Sequence, residues 1–203
     1  MFTLLAKGGI IMAVILFLSV IATVIIVERF LYFRKIRINE ESLITTLKAS
    51  LEKRYFNEAI SICENSKAPI ANIMKVGIEN RRFSQSEIKE SILSAANREI
   101  PQMERYLSPL GTIANISPLL GLLGTVTGNI KAFGILGSEM AVGDPSVLAG
   151  GISEALITTA AGLIVSIPCI IFYNHLVNKV NHMIIHLENR VNDMVLLLKG
   201  DGK

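Results

Sequence analysis

Tryptophan is absent from this sequence, cysteine occurs only twice, and charged residues are scarce. They make up 18% of the chain, below the roughly 25% of a soluble globular domain, whereas hydrophobic residues make up 51%. The formal net charge of +3 is too small and too dispersed to indicate a nucleic-acid-binding protein. Cys63 and Cys169 fall in segments predicted to lie in the cytoplasm and in a bilayer, so we expect no disulfide.

Enzyme motifs are absent as well. The sequence contains no Walker loop, no GxSxG elbow and no Cys-x-x-Cys pair. His182 and His186 are spaced i, i+4, which allows metal ligation, but no third ligand of the right type accompanies them. We therefore expect solvated histidines rather than a metal site, and we predict no enzymatic activity and no cofactor.

The sequence contains several long apolar segments. A bilayer span needs about 20 residues, and three segments reach that length: 8–27, 106–130 and 155–174. The first is too long for a signal-peptide core and lacks a small-residue cleavage site, so we expect it to persist as a membrane helix. It consists mainly of Ile, Val, Leu and Phe and is predicted to face lipid. The other two are rich in Gly, Ala, Ser and Thr, which favours close contact with protein or a pore.

A basic cluster sets the predicted topology. Arg29, Arg34, Lys35 and Arg37 follow the first span, and the positive-inside rule places them in the cytoplasm. The N-terminus is therefore predicted outside and the C-terminus inside. The predicted domains are membrane helix 1 (1–33), a cytoplasmic helical region (34–105), membrane helix 2 (106–131), an extracytoplasmic loop (132–153), membrane helix 3 (154–175) and a cytoplasmic amphipathic tail (176–203).

The segments outside the spans also read as helices. Ala68-Pro69 breaks the apolar pattern of the cytoplasmic region, and Ser84 with Glu87 forms a capping-box signature. In the tail, apolar residues recur every three or four positions, so membrane helix 3 is predicted to continue for about 70 Å, from Gly151 to Leu198. That stripe needs a partner, which is either the helices of the same chain or the same helix in other copies. Its residues are Leu176, Val180, Met183, Leu187, Val191, Met194 and Leu198.

Two polar stripes in the membrane are the candidate functional feature. Each places small or hydroxyl side chains on one helical face, and together they resemble the wall of a narrow polar passage. Such hydroxyls often simply bond back to a backbone carbonyl, which is the alternative. Thr125 and Thr159 are predicted at similar depths, about 9 Å and 7–8 Å below the outer boundary. The stripes comprise Ser117, Gly121, Thr125 and Gly128 on helix 2, and Thr159, Gly162, Ser166 and Tyr173 on helix 3, with Gly121, Thr125, Gly128, Thr159 and Ser166 as the pore-lining candidates.

Carboxylates are nearly absent from these stripes. Glu154 is the only acidic residue close to them, and its position at the membrane edge makes it a candidate for gating or for the point where protons enter, with a simple interfacial carboxylate as the alternative. No Asp or Glu lies in the middle of any span. Because a proton path usually needs a titratable carrier there, a proton-conducting assembly would require the carrier from another chain.

Two long motifs resemble those of the MotA/TolQ/ExbB proton-channel family. They are SPLLGLLGTVTG at 117–128 and GISEALITTAAGL at 151–163, the second followed by Ile167-Pro168 and Tyr173-Asn174. The motif match covers about 111–176, and the topology match covers nearly the whole chain. Three spans and about 70 cytoplasmic residues resemble the ExbB/TolQ branch rather than the four-span flagellar stators.

The resemblance implies an all-α, polytopic membrane protein whose second and third membrane helices extend into the cytoplasm. It implies a homopentamer around a dimer of a single-span ExbD/TolR-like partner, whose membrane aspartate carries protons, with a TonB/TolA-like protein as a further partner. Thr125 and Thr159 match the family's pore-facing threonines, Glu154 its acidic residue at the start of the third helix, and Pro168 the proline that bends it. Ser166 and Cys169 stand where many relatives have Ala.

The function expected from this resemblance is conversion of the proton motive force into work on the envelope, from the bacterial inner membrane and among its lipids. Nucleic acid is not an expected partner. A non-conducting membrane scaffold, a stator-like protein and a Na⁺-driven member of the family remain alternatives. A secondary transporter would need inverted repeats or broken helices, and the sequence has neither.

Overall fold

The structure, a computed structural model, describes residues 9–66, 68–136 and 145–199, and each of the six elements in those ranges is a helix. This confirms the prediction of an all-α protein. The chain divides into two compact units: unit 1 contains Met1–Val27 and Tyr106–Leu176, and unit 2 contains Glu28–Arg105 and Val177–Lys203. The helices are α1 (Gly9–Glu52), α2 (Phe56–Glu64), α3 (Pro69–Glu79), α4 (Gln85–Glu104), α5 (Leu107–Leu136) and α6 (Pro145–Lys199).

Three helical stretches are long and apolar enough to cross a bilayer, in agreement with the predicted number of spans. They are Gly9–Ile36, Gln85–Gly134 and Ala149–Leu187. Both α5 and α6 continue into the segment 132–153, for which the sequence predicts a loop, and residues 137–144 of that segment lie outside the described residues. Small side chains extend the contact between the two helices, since a methyl group at Gly151 would lie 2.8 Å from the Cβ of Ala132.

In unit 1, α1 divides into a buried and an exposed face. Met12, Ile15, Ala22 and Ile25 are buried at the i, i+3, i+4 spacing of one helical stripe. The remaining surface is equally apolar, as expected of a helix that faces lipid. Its exposed side chains include Val14, Phe17, Val20, Val24 and Val27.

Unit 2 is a helical bundle whose core comes mainly from α3 and α4. Pro69 occupies the first turn of α3, where its missing N–H costs no helical hydrogen bond. The predicted capping box at α4 is confirmed, because Ser84 Oγ accepts from the Glu87 amide at 3.4 Å and the Glu87 carboxylate accepts from the Ser84 amide at 2.8 Å. The core residues with almost no exposure are Ile70, Ile73, Ile78, Ile88, Ile92 and Met103.

The chain does not pass from α4 to α5 as one helix. The apolar pattern of α4 leads into the second membrane span, which is predicted to begin at 106, and Tyr106 adopts φ +66 between the two helices. That left-handed conformation is uncommon for a bulky side chain and cannot continue an α-helix. The interruption therefore separates α4, which ends at Glu104, from α5, which begins at Leu107.

Arg29 is buried in unit 2, with 2% of its surface exposed. Its Nη1 donates to the carbonyl of Gln102 at 3.1 Å, and its Nε pairs with the Glu28 carboxylate at 2.5 Å. The guanidinium also stacks over the Tyr32 ring at 4.4 Å. A buried charge requires such partners, and the contacts tie α1 to the last turn of α4. In the sequence, Arg29 is recognisable only as part of the basic cluster that predicts the membrane topology.

The apolar stripe of α6 packs within its own chain in unit 2. Val180 and Leu187 are buried, and Leu187 shares a cleft of about 310 Å³ with Phe33 of α1 and Ile70 of α3. This favours the first of the two partners left open by the sequence, the helices of the same chain. The side chains of Val191, Met194 and Leu198, which complete the predicted stripe, lie outside the described residues.

Candidate functional site

Helices α5 and α6 touch backbone to backbone in unit 1. A methyl group at Gly162 would lie 2.5 Å from the carbonyl oxygen of Ser117, and one at Gly121 would lie 2.9 Å from the Cα of Thr159. Small residues are what allow helices to approach this closely in a membrane. The glycines of both motifs therefore form the seam between the two helices.

The contacts along this seam define an antiparallel register. Gly128 lies against Ala155, Gly124 against the side chain of Thr158, and Gly121 against Thr159. Thr125 therefore lies one helical turn, about 6 Å, along α5 from the residue opposite Thr159. The two threonines are thus offset by up to a turn, whereas counting from the ends of the spans places them at similar depths.

Two hydroxyl groups bond across the seam. Thr159 Oγ1 donates to the carbonyl of Gly121 at 2.8 Å, and Ser166 Oγ donates to the carbonyl of Ala114 at 2.5 Å. These bonds connect α6 to α5 at two levels. An interhelical hydrogen bond of this kind is worth about 0.6 kcal/mol on average in a membrane protein. The pair is therefore held by packing and by a small number of polar contacts.

Other hydroxyls bond back to their own helix. Ser117 Oγ donates to the carbonyl of Ile113 at 2.7 Å, and Thr125 Oγ1 donates to that of Leu122 at 2.7 Å. This is the alternative that the sequence left open for intramembrane hydroxyls. Among the described residues, every buried side-chain nitrogen or oxygen has a hydrogen-bond partner.

The five predicted pore-lining residues fall into two groups. Gly121, Gly128 and Ser166 are buried in the seam, where they serve the contact between α5 and α6. Thr125 and Thr159 are half-buried, so each keeps part of its side chain on the surface of the helix pair. Because each hydroxyl donates its only hydrogen to a carbonyl, its oxygen lone pairs remain available as acceptors.

Glu154 lies beside the start of α1. A methyl group at Gly9, the first residue of α1, would lie 3.7 Å from Glu154 Oε1. The positive end of the helix dipole favours a carboxylate at that position. Glu154 is half-buried and precedes Thr159 by five residues, about 7–8 Å along α6. It therefore stands at one end of the surface that carries Thr159.

Pro168 is exposed, and α6 continues through it. Proline has no N–H to donate, so the carbonyl four residues earlier, at Ile164, loses its usual helical partner.

The ring of Tyr173, at the inner end of the predicted stripe, lies against Gly111, where a methyl group would be 2.9 Å from Cε2. Among the described residues, no group of three or more His, Cys, Asp or Glu side chains forms a metal site.

Thr158 and Gly124 are seam residues that the stripe analysis overlooked. Thr158 is buried, and its Oγ1 donates to the carbonyl of Ala155 at 2.7 Å. A polar stripe is identified on one helix at a time. It groups the polar residues on one face of that helix and does not indicate which residues of the other helix they contact. The available signal was the glycine spacing of the first motif, because Gly121, Gly124 and Gly128 follow the i, i+3, i+4 pattern of a packing face.

Comparison with known proteins gives one family. A model described as the MotA/TolQ/ExbB proton channel family matches residues 65–189. The ExbB-like 3 protein of Synechocystis sp. is 31% identical over 82% of this chain and 80% of its own length. The Tol-Pal system protein TolQ of Haemophilus influenzae is 46% identical over 43% of this chain and 38% of its own. The biopolymer transport protein ExbB of Aquifex aeolicus is 38% identical over 55% of this chain and 74% of its own.

Proposed function

The chain belongs to the MotA/TolQ/ExbB proton channel family, in its ExbB/TolQ branch, and from that premise we propose that it is the channel subunit of a proton-driven envelope motor. In this role it converts the proton motive force into mechanical work, such as energised outer-membrane transport or envelope maintenance. The family is one of proton channels rather than of enzymes. Relatives named for biopolymer transport and for the Tol-Pal system support both kinds of process.

The proposed assembly has five copies of this chain around two copies of a single-span partner of the ExbD/TolR type. The partner supplies a membrane aspartate as the proton carrier, because the three spans of this chain have no acidic residue in their middle. A TonB/TolA-like protein is the proposed recipient of the work. The proposed location is the bacterial inner membrane, with the N-terminus outside and the C-terminus in the cytoplasm.

The observation that carries the proposal is the half-buried hydroxyl pair on the α5–α6 surface. Thr125 and Thr159 each direct their hydrogen to a backbone carbonyl, so their oxygens are poised to accept from a protonated carrier or from water. We assign these two threonines to the path. Gly121, Gly128 and Ser166 support its wall by closing the seam, and their direct exposure to the path stays a prediction.

Two further residues receive roles in the proposal. Glu154, at the outer end of the Thr159 surface, attracts protons to the path and contributes to gating. Pro168 loosens the helical hydrogen bonding below the path and gives α6 a place to bend. Replacing Glu154 with Ala tests the first role, since flux should fall without loss of assembly.

The central test is Thr159→Val, an isosteric change that removes the hydroxyl. The chain and its single-span partner are co-purified, checked by native mass spectrometry, and reconstituted in vesicles for proton-flux measurement. We expect an unchanged 5:2 assembly and a flux reduced about tenfold, the effect of about 1.4 kcal/mol at the barrier.

Thr127→Val is the matched control, because Thr127 is also half-buried and bonded to carbonyls of its own helix, but lies about 200° around α5 from Thr125 and so off the polar stripe. Its flux should stay near that of the unmodified protein. Full flux in Thr159→Val would remove Thr159 from the path. A monomer or dimer without the partner would instead favour a non-conducting scaffold, and flux that follows a sodium gradient would favour the Na⁺-driven or stator-like alternatives.

A further inference from the structure

Two turns of unit 2 repeat one sequence pattern. Lys53-Arg54-Tyr55 connects α1 to α2, and Arg81-Arg82-Phe83 leads from α3 toward α4. Each has two cations followed by an aromatic residue. We call these six residues the basic–aromatic tip.

The two turns lie side by side. The Arg81 guanidinium stacks over the ring of Phe56, the first residue of α2, at 4.7 Å. Arg81 Nη1 also donates to the carbonyl of Ile78 at 3.0 Å, which fixes the arginine at the end of α3. Because Phe56 directly follows the first turn, this stack brings both cationic turns into one surface.

The aromatic side chains of the tip point outward. Tyr55 is 57% exposed and Phe83 is 53% exposed, whereas most of the large apolar side chains of α3 and α4 are buried. Arg54 adopts φ +61, a conformation uncommon for residues with a side chain. The strained turn is closed by hydrogen bonds from Arg54 N to Leu51 O and from Tyr55 N to Ser50 O, both 2.9 Å. Backbone strain of this kind tends to persist where function requires it.

Acidic residues stand at the margin of the tip. Glu79 lies 3.8 Å from Lys75, and Glu87 is engaged by the Ser84 amide and hydroxyl. Glu52 and Glu58 flank the first turn. The turns themselves contain four cations and no acid, so positive charge and exposed aromatic side chains coincide at the tip.

We propose that the basic–aromatic tip is a docking surface for an acidic segment of a cytoplasmic protein. Arginine and aromatic residues are the side chains enriched at protein interfaces, and the cations complement an acidic partner.

The test measures binding of a labelled synthetic peptide of alternating Glu and Tyr to the full-length chain in nanodiscs. Arg82→Gln is compared with Arg98→Gln, which removes the same charge from an exposed arginine in α4. Phe83→Ser is compared with Phe83→Tyr, which keeps an aromatic ring. We expect Arg82→Gln and Phe83→Ser each to weaken binding about fivefold, and the two controls to remain within about twofold.

Three results would overturn the proposal. Equal loss of peptide binding in Arg82→Gln and Arg98→Gln would show that binding depends on net charge and not on the tip. Tighter binding of an oligouridylate than of the peptide would make the surface a nucleic-acid site. A changed copy number of the tip variants in native mass spectra would show that a second copy covers the tip. Because peptide binding is measured without proton flux, these outcomes are independent of the proposed channel function.

Discussion

At the scale of single residues, the glycines of the seam determine how closely α5 and α6 approach. Gly162→Ala places a methyl group 2.5 Å from the carbonyl of Ser117, and backbone atoms cannot yield as a flexible side chain would. Overpacking of this kind costs about 1–3 kcal/mol. We therefore expect Gly162→Ala to lower the thermal unfolding temperature, followed by circular dichroism in one detergent.

Gly134→Ala is the control for that measurement. Gly134 lies within α5, and a methyl group there would have no atom within 4 Å. Alanine is the better helix former by about 1 kcal/mol, so this variant should match or exceed the stability of the unmodified protein. Equal melting of the two variants would contradict the close contact at Gly162.

A second prediction at this scale concerns the Cys63 thiol, which is 3% exposed. Burial raises the pKa of this thiol to about 11. Since only the thiolate reacts, alkylation at pH 8 should be about a hundredfold slower in the folded protein than in the denatured chain. The rate should rise steeply as the pH approaches 11.

The experiment alkylates a Cys169→Ala variant with iodoacetamide, so that Cys63 is the only cysteine available for labelling. Unfolding in denaturant at pH 8 should restore rapid labelling. Fast labelling of the folded protein at that pH would mean that Cys63 is accessible as a thiolate, and hence that α2 does not pack as the structure shows.

At the scale of elements, the start of α4 rests on its capping box. Ser84→Ala removes an acceptor for the Glu87 amide and should cost about 1 kcal/mol. We expect amide hydrogen exchange in the first turn of α4 to become about fivefold faster, as measured by mass spectrometry. Gln85→Ala, an exposed change at the next position, should leave exchange unchanged. Equal acceleration of hydrogen exchange in both variants would show that the capping box does not stabilise the start of α4.

Elements with a local signal were predictable from the sequence. The capping box of α4 and the break at Ala68-Pro69 depend on residues a few positions apart, and the structure has both. The interruptions at Arg54 and Tyr106 carried no such signal, since neither position holds Gly or Asn. Those two conformations depend on tertiary packing, which a single helix pattern does not encode.

The candidate site was predictable only in part, for a related reason. Residue type and spacing place Thr125 and Thr159 on polar faces. Which carbonyl each hydroxyl reaches depends on the register between two helices, and Thr159 bonds to a residue 38 positions away. Arg29 is a similar case, because its partner Gln102 lies 73 positions along the chain. Contacts of such separation arise from packing rather than from sequence pattern.

At the scale of the whole molecule, the proposed topology makes a labelling prediction. In a cysteine-free background, Ser153→Cys should react with a membrane-impermeant maleimide in intact spheroplasts. Ser94→Cys should react only after the membrane is permeabilised. Both serines are exposed in the structure, so accessibility within the protein is matched. The opposite pattern would invert the orientation, and labelling of both in intact spheroplasts would contradict a cytoplasmic position for α4.

The seam between α5 and α6 also decides where water can go. With backbones in contact at Gly121 and Gly162, no file of water molecules fits between these two helices. A hydrated route past Thr125 and Thr159 must therefore run along the outer surface of the pair, walled on its far side by another chain. Under the proposed function, a single protomer therefore provides only one wall of such a route, and we expect unassembled protomers to leave the membrane impermeable to protons.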